Sequence, residues 1–217
     1  MAAGSARWVP TTKYCRTMMA PIPAHEEGLT RAARVIRIGV TGHRTLADVD
    51  QVRTRVITTV RNARERVSAD VVEIWSSLAE GADRIVADLV PTEAERLIAV
   101  LPLDADDYRS DFASDDSCAE FDRLVALADE IDVAGTDGSG TRESAYERAG
   151  LQVLANCDLL LALWDGGDAR GRGGTAQIVE RAQRDGVAVV VIDVERMPAC
   201  PPEPGGITGE TVNGAAS

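Results

Sequence analysis

Short apolar runs alternate along this chain with stretches in which apolar residues recur every three or four positions. The first run, VIRIGV (35–40), has the length and composition of a buried strand. The stretch 48–67 that follows has apolar residues at helical spacing: Val49, Val52, Val56, Val60, Ala63 and Val67. The pattern therefore predicts a strand followed by an amphipathic helix.

The same alternation continues to residue 194. Further strands are predicted at 70–75, 96–103, 130–134, 158–164 and 187–194. Further helices are predicted at 81–90, 117–129, 143–156 and from about Thr175. Several strands are apolar on both faces, as in a parallel sheet that is covered by helices on each side. The predicted fold class is therefore α/β: a three-layer, doubly wound, mostly parallel sheet of the Rossmann-like type, in a single domain.

The ends of the chain lack this pattern. Residues 1–33 mix Pro, Arg and Thr without periodicity, and residues 197–217 are rich in Pro and Gly, so both are expected to be loosely ordered tails. The folded domain is predicted to span 34–196. A chain of 217 residues is long enough for one well-buried core.

Composition narrows the classes of partner and cofactor. A formal net charge of −12 argues against a nucleic acid or an anionic membrane as the partner. The four cysteines are scattered and the chain has two histidines, so neither a metal site nor a disulfide framework is expected, and no cofactor is predicted. No apolar run approaches the ~20 residues of a membrane span, and no signal peptide is recognisable. We therefore expect a cytoplasmic protein.

In a doubly wound sheet, ligands bind outside the carboxyl ends of the strands, and three loops lie there. The first is GVTGHRTL (39–46), in which Gly42 permits close backbone approach and His43 and Arg44 are donors for an anion. The loop is neither GxGxxG nor a Walker motif, so a standard dinucleotide or P-loop site is disfavoured. The alternative is a tight strand-to-helix turn with Arg44 in solvent.

The second loop, SSLAEGADR (76–84), follows the next predicted strand. Its candidate binding residues are Ser76, Ser77, Glu80, Gly81 and Asp83. The serines are small donors, and the two carboxylates are acceptors suited to ribose hydroxyls. Alternatively, Ser77 caps the next helix with Glu80 as its capping-box partner, since S-x-x-E fits that motif equally well.

The third loop belongs to DGGDARGRGGTAQIVERA (165–182), where glycines lead from a strand end into a helix start. Its candidate ligand-binding or phosphate-binding residues are Asp165, Gly166, Gly173, Gly174 and Thr175. Unpaired N–H groups and the helix dipole favour an anion at such a helix start. The alternative is a mobile surface loop in which Thr175 is an ordinary N-cap.

The segment 104–116 contains six aspartates. It lacks the order of an EF-hand loop, so a solvated loop is predicted and no metal is expected. A second interpretation is that Tyr108, Arg109 and Phe112 cover a bound ring.

Four segments together resemble the SLOG superfamily, the Rossmann-like group that contains DprA and the LOG phosphoribohydrolases. They are IGVTGHR (38–44), SSLAEGADRIVA (76–87), YERAGLQVLANCDLLLALWDG (146–166) and GRGGTAQIVERA (171–182). The resemblance covers about 35–193 and implies binding of a nucleotide or a nucleotide-derived ligand. LOG enzymes cleave the N-glycosidic bond of nucleoside 5′-monophosphates and carry the motif PGGxGTxxE, with an upstream Arg.

The catalytic part of that motif is changed in this chain. The position of the motif's Glu is taken by Ile178, and Glu180, two residues further on, is rotated by roughly 200° around the helix. Arg148 lies near the position of the family's Arg, although an exposed helix Arg is an equal alternative. Glu80, Asp83 and Arg148 are thus the weak catalytic candidates.

The predicted function is nucleotide binding in a sensor or carrier role. The alternative is an N-glycoside hydrolase of the LOG type or a nucleoside deoxyribosyltransferase-like enzyme, for which a carboxylate is needed. A DNA-handling role is a third class, against which the acidic body argues. Related folds commonly pair through helix faces, so a homo-oligomer stays open.

Overall fold

The computed structural model describes residues 7–9 (backbone only), 31–135, 140–167 and 174–194. The strands are β1 (Arg7–Val9), β2 (Val35–Gly42), β3 (Val71–Ser76), β4 (Arg96–Leu101), β5 (Glu130–Val133), β6 (Leu159–Leu163) and β7 (Ala188–Ile192). The helices are α1 (Val49–Val67), α2 (Ala82–Ala87), α3 (Ala105–Arg109), α4 (Asp115–Leu127), α5 (Arg142–Asn156) and α6 (Thr175–Asp185). Among these residues, no helix is long and apolar enough to cross a membrane.

All strands join one sheet, in the order β1-β7-β6-β2-β3-β4-β5. The six strands from β2 onward are parallel, and β1 adds to the edge of β7 in antiparallel orientation. From β2 the chain winds outward through β3, β4 and β5, and it then returns to the other side of β2 to form β6 and β7. The winding direction thus reverses between β2 and β6, which is where such sheets open a ligand crevice.

The helices cover both faces of the sheet. On one face, Ile36 and Ile38 of β2 share a core with Val52 and Val56 of α1 and with residues of α2, α3 and α4. On the other face, Leu160 of β6 packs with residues of α5 and α6. Successive residues of a strand point to opposite faces, so strands that are apolar throughout fill both cores. The predicted α/β fold class, a three-layer Rossmann-like sheet, is confirmed.

Side-chain caps set the starts of three of these helices. Asp48 accepts a hydrogen bond from the backbone N–H of Gln51 at the start of α1. Ser114 does the same at the start of α4, and Thr141 at the start of α5. These caps satisfy N–H groups that have no partner within the helix.

Two parts of the fold differ from the expectation. The segment 104–116, expected as a solvated loop, contains the short helix α3, because the rings of Tyr108 and Phe112 are buried against Phe121 at centroid distances of 5.5 and 5.0 Å. The expected N-terminal tail, 1–33, contributes β1 to the sheet edge. The remaining residues of the tail before Arg31, and the predicted C-terminal tail 197–217, lie outside the described residues.

Candidate functional site

A crevice of about 700 Å³ opens outside the carboxyl ends of β2 and β6. It is lined by the loops that follow these strands, by part of the loop after β3, and by residues of α3, α5 and the first turn of α6. All three loops predicted to bind a ligand therefore contribute to one cavity. The reversal of winding between β2 and β6 explains its position.

His43 and Asp165 form a pair across this reversal point. Nε2 of His43 lies 3.0 Å from Oδ1 of Asp165, and the two side chains are 20% and 9% exposed. The backbone N–H of Asp165 also lies 3.4 Å from the same Nε2. The N–H of His43 donates to the carbonyl of Leu163 at 3.0 Å, so the backbone also holds the pair. The crevice thus contains an imidazole in a fixed orientation.

Asp83 organises the loop after β3. Its Oδ2 accepts hydrogen bonds from the backbone N–H of Ser77 at 3.0 Å, from Ser77 Oγ at 2.6 Å and from Ser76 Oγ at 3.2 Å. Burial raises the pKa of Asp83, although the hydrogen bonds from the serines oppose that shift. Ser77 and Asp83 line the crevice, but their polar groups are engaged with each other. The loop is therefore held rigidly, with Asp83 as its anchor.

Glu80 lies outside the crevice. Its Oε1 accepts a hydrogen bond of 2.5 Å from Ser117 Oγ, and it lines a separate groove of about 640 Å³ beside α4. The N-cap residue of α2 is Gly81, with no side-chain cap, so the capping box of Ser77 and Glu80 is not formed. The predicted pair of ribose acceptors is thus divided between two cavities.

Gly42 and Gly81 hold two of the loops against each other. A Cβ on Gly42 would lie 2.4 Å from Cβ of Ala82 and 2.7 Å from the carbonyl oxygen of Leu163. Gly81 has φ +78°, and a Cβ there would lie 2.3 Å from the carbonyl oxygen of Arg44. The sequence predicted that these glycines allow a close approach of other atoms to the backbone. The atoms that approach belong to neighbouring residues of the protein itself.

The start of α6 faces the crevice. Gly174 is its N-cap residue and makes no side-chain cap, and Gly174, Thr175 and Ala176 line the cavity. The first N–H groups of a helix have no partner within it, so they offer hydrogen bonds and a positive dipole end to an anion. Asp165 and Gly166 lie on the same loop, Gly166 with φ +83°. Gly173, predicted to bind phosphate, lies outside the described residues.

Ile178, which stands at the position of the motif's Glu, and Glu180 differ in their surroundings. Ile178 is buried at the crevice wall, where its Cδ1 would lie 2.9 Å from a Cβ built on Gly150 of α5. Glu180 is exposed on the outer side of α6, as its rotation around the helix predicted. Arg148 is also exposed, and its Nε donates to the carbonyl of Ala134 at 3.1 Å, outside the crevice. Of the weak catalytic candidates, only Asp83 is in the cavity.

Aromatic side chains also line the crevice, and one of them, Tyr108, was among the residues suggested to cover a bound ring. They are Tyr108 of α3, Tyr146 of α5 and Trp164 after β6. The Arg44 guanidinium lies 5.5 Å from the centre of the Tyr146 ring, and the Tyr146 hydroxyl donates to Asp111. Burial and this carboxylate raise the pKa of Tyr146. Sequence reasoning missed Tyr146 and Trp164, because both lie within segments whose periodicity explained them as helix or strand.

No protein-family model matches this chain, and no curated protein matches it. Among solved structures, it is similar to DNA processing protein A (DprA) from Streptococcus pneumoniae, with 19% identity and a TM-score of 0.49. That match covers 71% of this chain and 49% of DprA, so this chain spans about half of DprA's length. TM1055, a structural genomics target, matches with 14% identity and a TM-score of 0.38, over 68% of this chain and 81% of TM1055.

The class of protein follows from the topology together with the crevice. The chain is a Rossmann-like α/β protein with a ligand-sized cavity at the switch point of its sheet. The resemblance to the SLOG superfamily, which rests on the sequence motifs, stays a prediction.

Proposed function

We propose that the crevice binds a nucleotide or a nucleotide-derived ligand, in a sensor or carrier role. The observation that carries the proposal is the start of α6, which opens into the switch-point crevice without a side-chain cap. A phosphate would accept hydrogen bonds from the first N–H groups of α6 and from the Thr175 hydroxyl. No side chain competes for that position among the described residues of the cap.

The remainder of the crevice suits the other parts of a nucleotide. Arg44 supplies positive charge to the crevice. Tyr146 and Trp164 supply aromatic surface on which a base can lie. The carboxylate of Asp165 is held in contact with the imidazole of His43. We propose that binding takes place in the cytoplasm, in keeping with the free thiols of Cys118 and Cys157.

Isothermal titration tests this proposal with AMP, ADP-ribose, NAD and cyclic nucleotides. The variant Ala176→Asp places a carboxylate in the first turn of α6 at the crevice, and it is expected to weaken binding of the phosphate-bearing ligand about tenfold or more. An Asp in the first turn also favours the helix, so folding is expected to be kept.

The matched control is Gln183→Glu, which adds the same charge at the exposed last turn of α6. This control is expected to bind as the wild type does. If no ligand of the panel binds, or if Ala176→Asp and wild type bind equally, the phosphate site at α6 is refuted.

An N-glycoside hydrolase or transferase is the second proposal, because Asp83 brings a carboxylate to the crevice wall. Three observations weigh against it: Ile178 replaces the motif's Glu, Glu180 is exposed, and Glu80 lies in the other groove. Incubation with AMP, followed by detection of free adenine, separates the two proposals. Tight binding of AMP without release of adenine would refute the enzyme proposal and keep the binding proposal.

A further inference from the structure

The hydroxyl of Tyr108 is a buried polar group without a hydrogen-bond partner. Tyr108 belongs to α3, is fully buried, and lines the crevice. A tyrosine hydroxyl that is buried usually finds a partner, because an unsatisfied polar group destabilises the fold. An orphaned hydroxyl at the wall of a ligand cavity is therefore a position where a ligand group can complete the hydrogen bonding.

The ring of Tyr108 is fixed by its neighbours. Phe112 and Phe121 contact it edge-on at centroid distances of 5.0 and 5.5 Å, and the tilted ring of Tyr146 lies at 6.0 Å. Close packing on these sides prevents the ring from turning its hydroxyl toward solvent. Burial also raises the pKa of Tyr108, so the group is a neutral phenol that can donate or accept a hydrogen bond.

Another buried polar group without a partner lies outside the crevice and serves as a comparison. Nη2 of Arg84 also has no partner, but Arg84 lines the groove beside α4 and does not line the crevice. Its other guanidinium nitrogens bind the carbonyls of Leu78 and Ser117. Oε1 of Gln51 is a third such group, and of the three only the Tyr108 hydroxyl belongs to a residue that lines the switch-point crevice.

Tyr108 and the start of α6 approach the crevice from different sides of β2. The start of α6 follows β6, whereas α3 follows β4, and the sheet order β6-β2-β3-β4 separates these strand ends by three interstrand spacings. At about 4.8 Å for each spacing, that separation is roughly 14 Å. This spacing of the strand ends fits an elongated ligand, with an anionic end at α6 and an uncharged polar group toward Tyr108.

We propose that the Tyr108 hydroxyl binds an uncharged hydrogen-bonding group of the crevice ligand, either a sugar hydroxyl or the polar edge of a base. This inference rests on the proposed nucleotide site and specifies its second recognition point. The hydroxyl is shielded from water, so the ligand must displace a neighbour to reach it.

The variant Tyr108→Phe tests this role, because it removes the hydroxyl and keeps the ring. Titration with AMP is expected to show an affinity at least about tenfold weaker than that of the wild type. The thermal midpoint is expected to stay the same or to rise, because an unsatisfied buried group is lost. A loss of affinity together with unchanged or higher stability is a result that a purely structural tyrosine does not produce.

Tyr146→Phe is the matched control for stability, because its hydroxyl already donates to Asp111. This variant is expected to lower the thermal midpoint, in contrast to Tyr108→Phe. Ribose 5-phosphate and inorganic phosphate identify the bound group. If Tyr108→Phe weakens the binding of ribose 5-phosphate as well as that of AMP, the hydroxyl binds a sugar hydroxyl. If it weakens the binding of AMP alone, the hydroxyl binds the edge of the base.

Inorganic phosphate is expected to bind wild type and Tyr108→Phe equally, because it reaches only the start of α6. If wild type binds AMP and Tyr108→Phe binds it equally well, this inference is wrong and the nucleotide site stands. If wild type binds none of the probes, the proposed function itself is refuted.

Discussion

At Gly42 the chain has no room for a side chain. The sequence predicted that this glycine permits close approach of the backbone, and that physical requirement is present, since Ala82 and the carbonyl of Leu163 occupy the space where a Cβ would lie. What the sequence could not specify is which group makes the approach. Gly42 and Gly81 lie near strand ends, where a ligand and a neighbouring loop impose the same requirement on the backbone.

Replacing Gly42 by Ala is expected to lower the free energy of unfolding by about 2 to 3 kcal/mol, because the contacts to Ala82 and Leu163 involve backbone and a short side chain that cannot move aside cheaply. Urea unfolding measures this change. Gly166→Ala is the comparison: its Cβ would meet nothing within 4 Å, but φ is +83°. That variant is expected to lose only about 1 kcal/mol from backbone strain. Equal losses in both variants would contradict the packing role of Gly42.

At the scale of elements, periodicity predicted the helices and strands where the apolar spacing was long or uniform. Helix α3 was missed because it is five residues long and acidic, and its burial depends on Tyr108 meeting Phe121, which is distant in sequence. Helix α6 shows the opposite case. Its helical rotation correctly predicted that Glu180 faces away, since that property depends on local geometry alone.

Ile178→Glu restores the motif's carboxylate on α6, yet it is expected to destabilise the protein. Ile178 is 1% exposed and lies against Gly150, so a carboxylate there would lose its hydration without gaining a partner. We expect a loss of about 3 kcal/mol or more in urea unfolding. Ile178→Val, which keeps the apolar contact, is expected to cost about 1 kcal/mol. A fully stable Ile178→Glu variant that releases adenine from AMP would show that only this residue separates the chain from LOG chemistry.

At the scale of the whole molecule, the fold class could be predicted because it depends on a repeated local pattern. The crevice could be predicted only loop by loop, because its central pair joins His43 and Asp165, which are 122 positions apart. Their meeting depends on β6 lying beside β2, and apolar periodicity carries no information on strand order. The position of Glu80 could not be predicted for a similar reason. Its loop contributes to the crevice, but its side chain turns toward Ser117 of α4, which is distant in sequence.

The distribution of charge is also a property of the whole molecule. Helix α1 shows whether an acidic chain can still carry a local basic face. This helix carries five arginines, a number that could form a local basic face in an otherwise acidic chain. The structure neutralises much of that charge from neighbouring elements: Arg53 pairs with Asp88 at 2.7 Å, Arg61 with Glu93 at 2.5 Å, and Arg64 with Glu95 at 2.7 Å. We therefore expect no binding to single-stranded DNA in a gel shift at about 150 mM salt.

The triple variant Asp88→Asn, Glu93→Gln and Glu95→Gln removes the three partner charges and leaves the arginines in place. If local neutralisation is what prevents binding, this variant is expected to bind single-stranded DNA at low salt, with an affinity that falls steeply as salt is raised. The arginines lie on the helix layer opposite to α5 and α6, so nucleotide binding in the crevice is expected to be unchanged. Binding of DNA by the wild type would mean that another surface attracts the phosphate backbone. A variant that still fails to bind would mean that the net charge of −12, and not the pairing on α1, sets the repulsion.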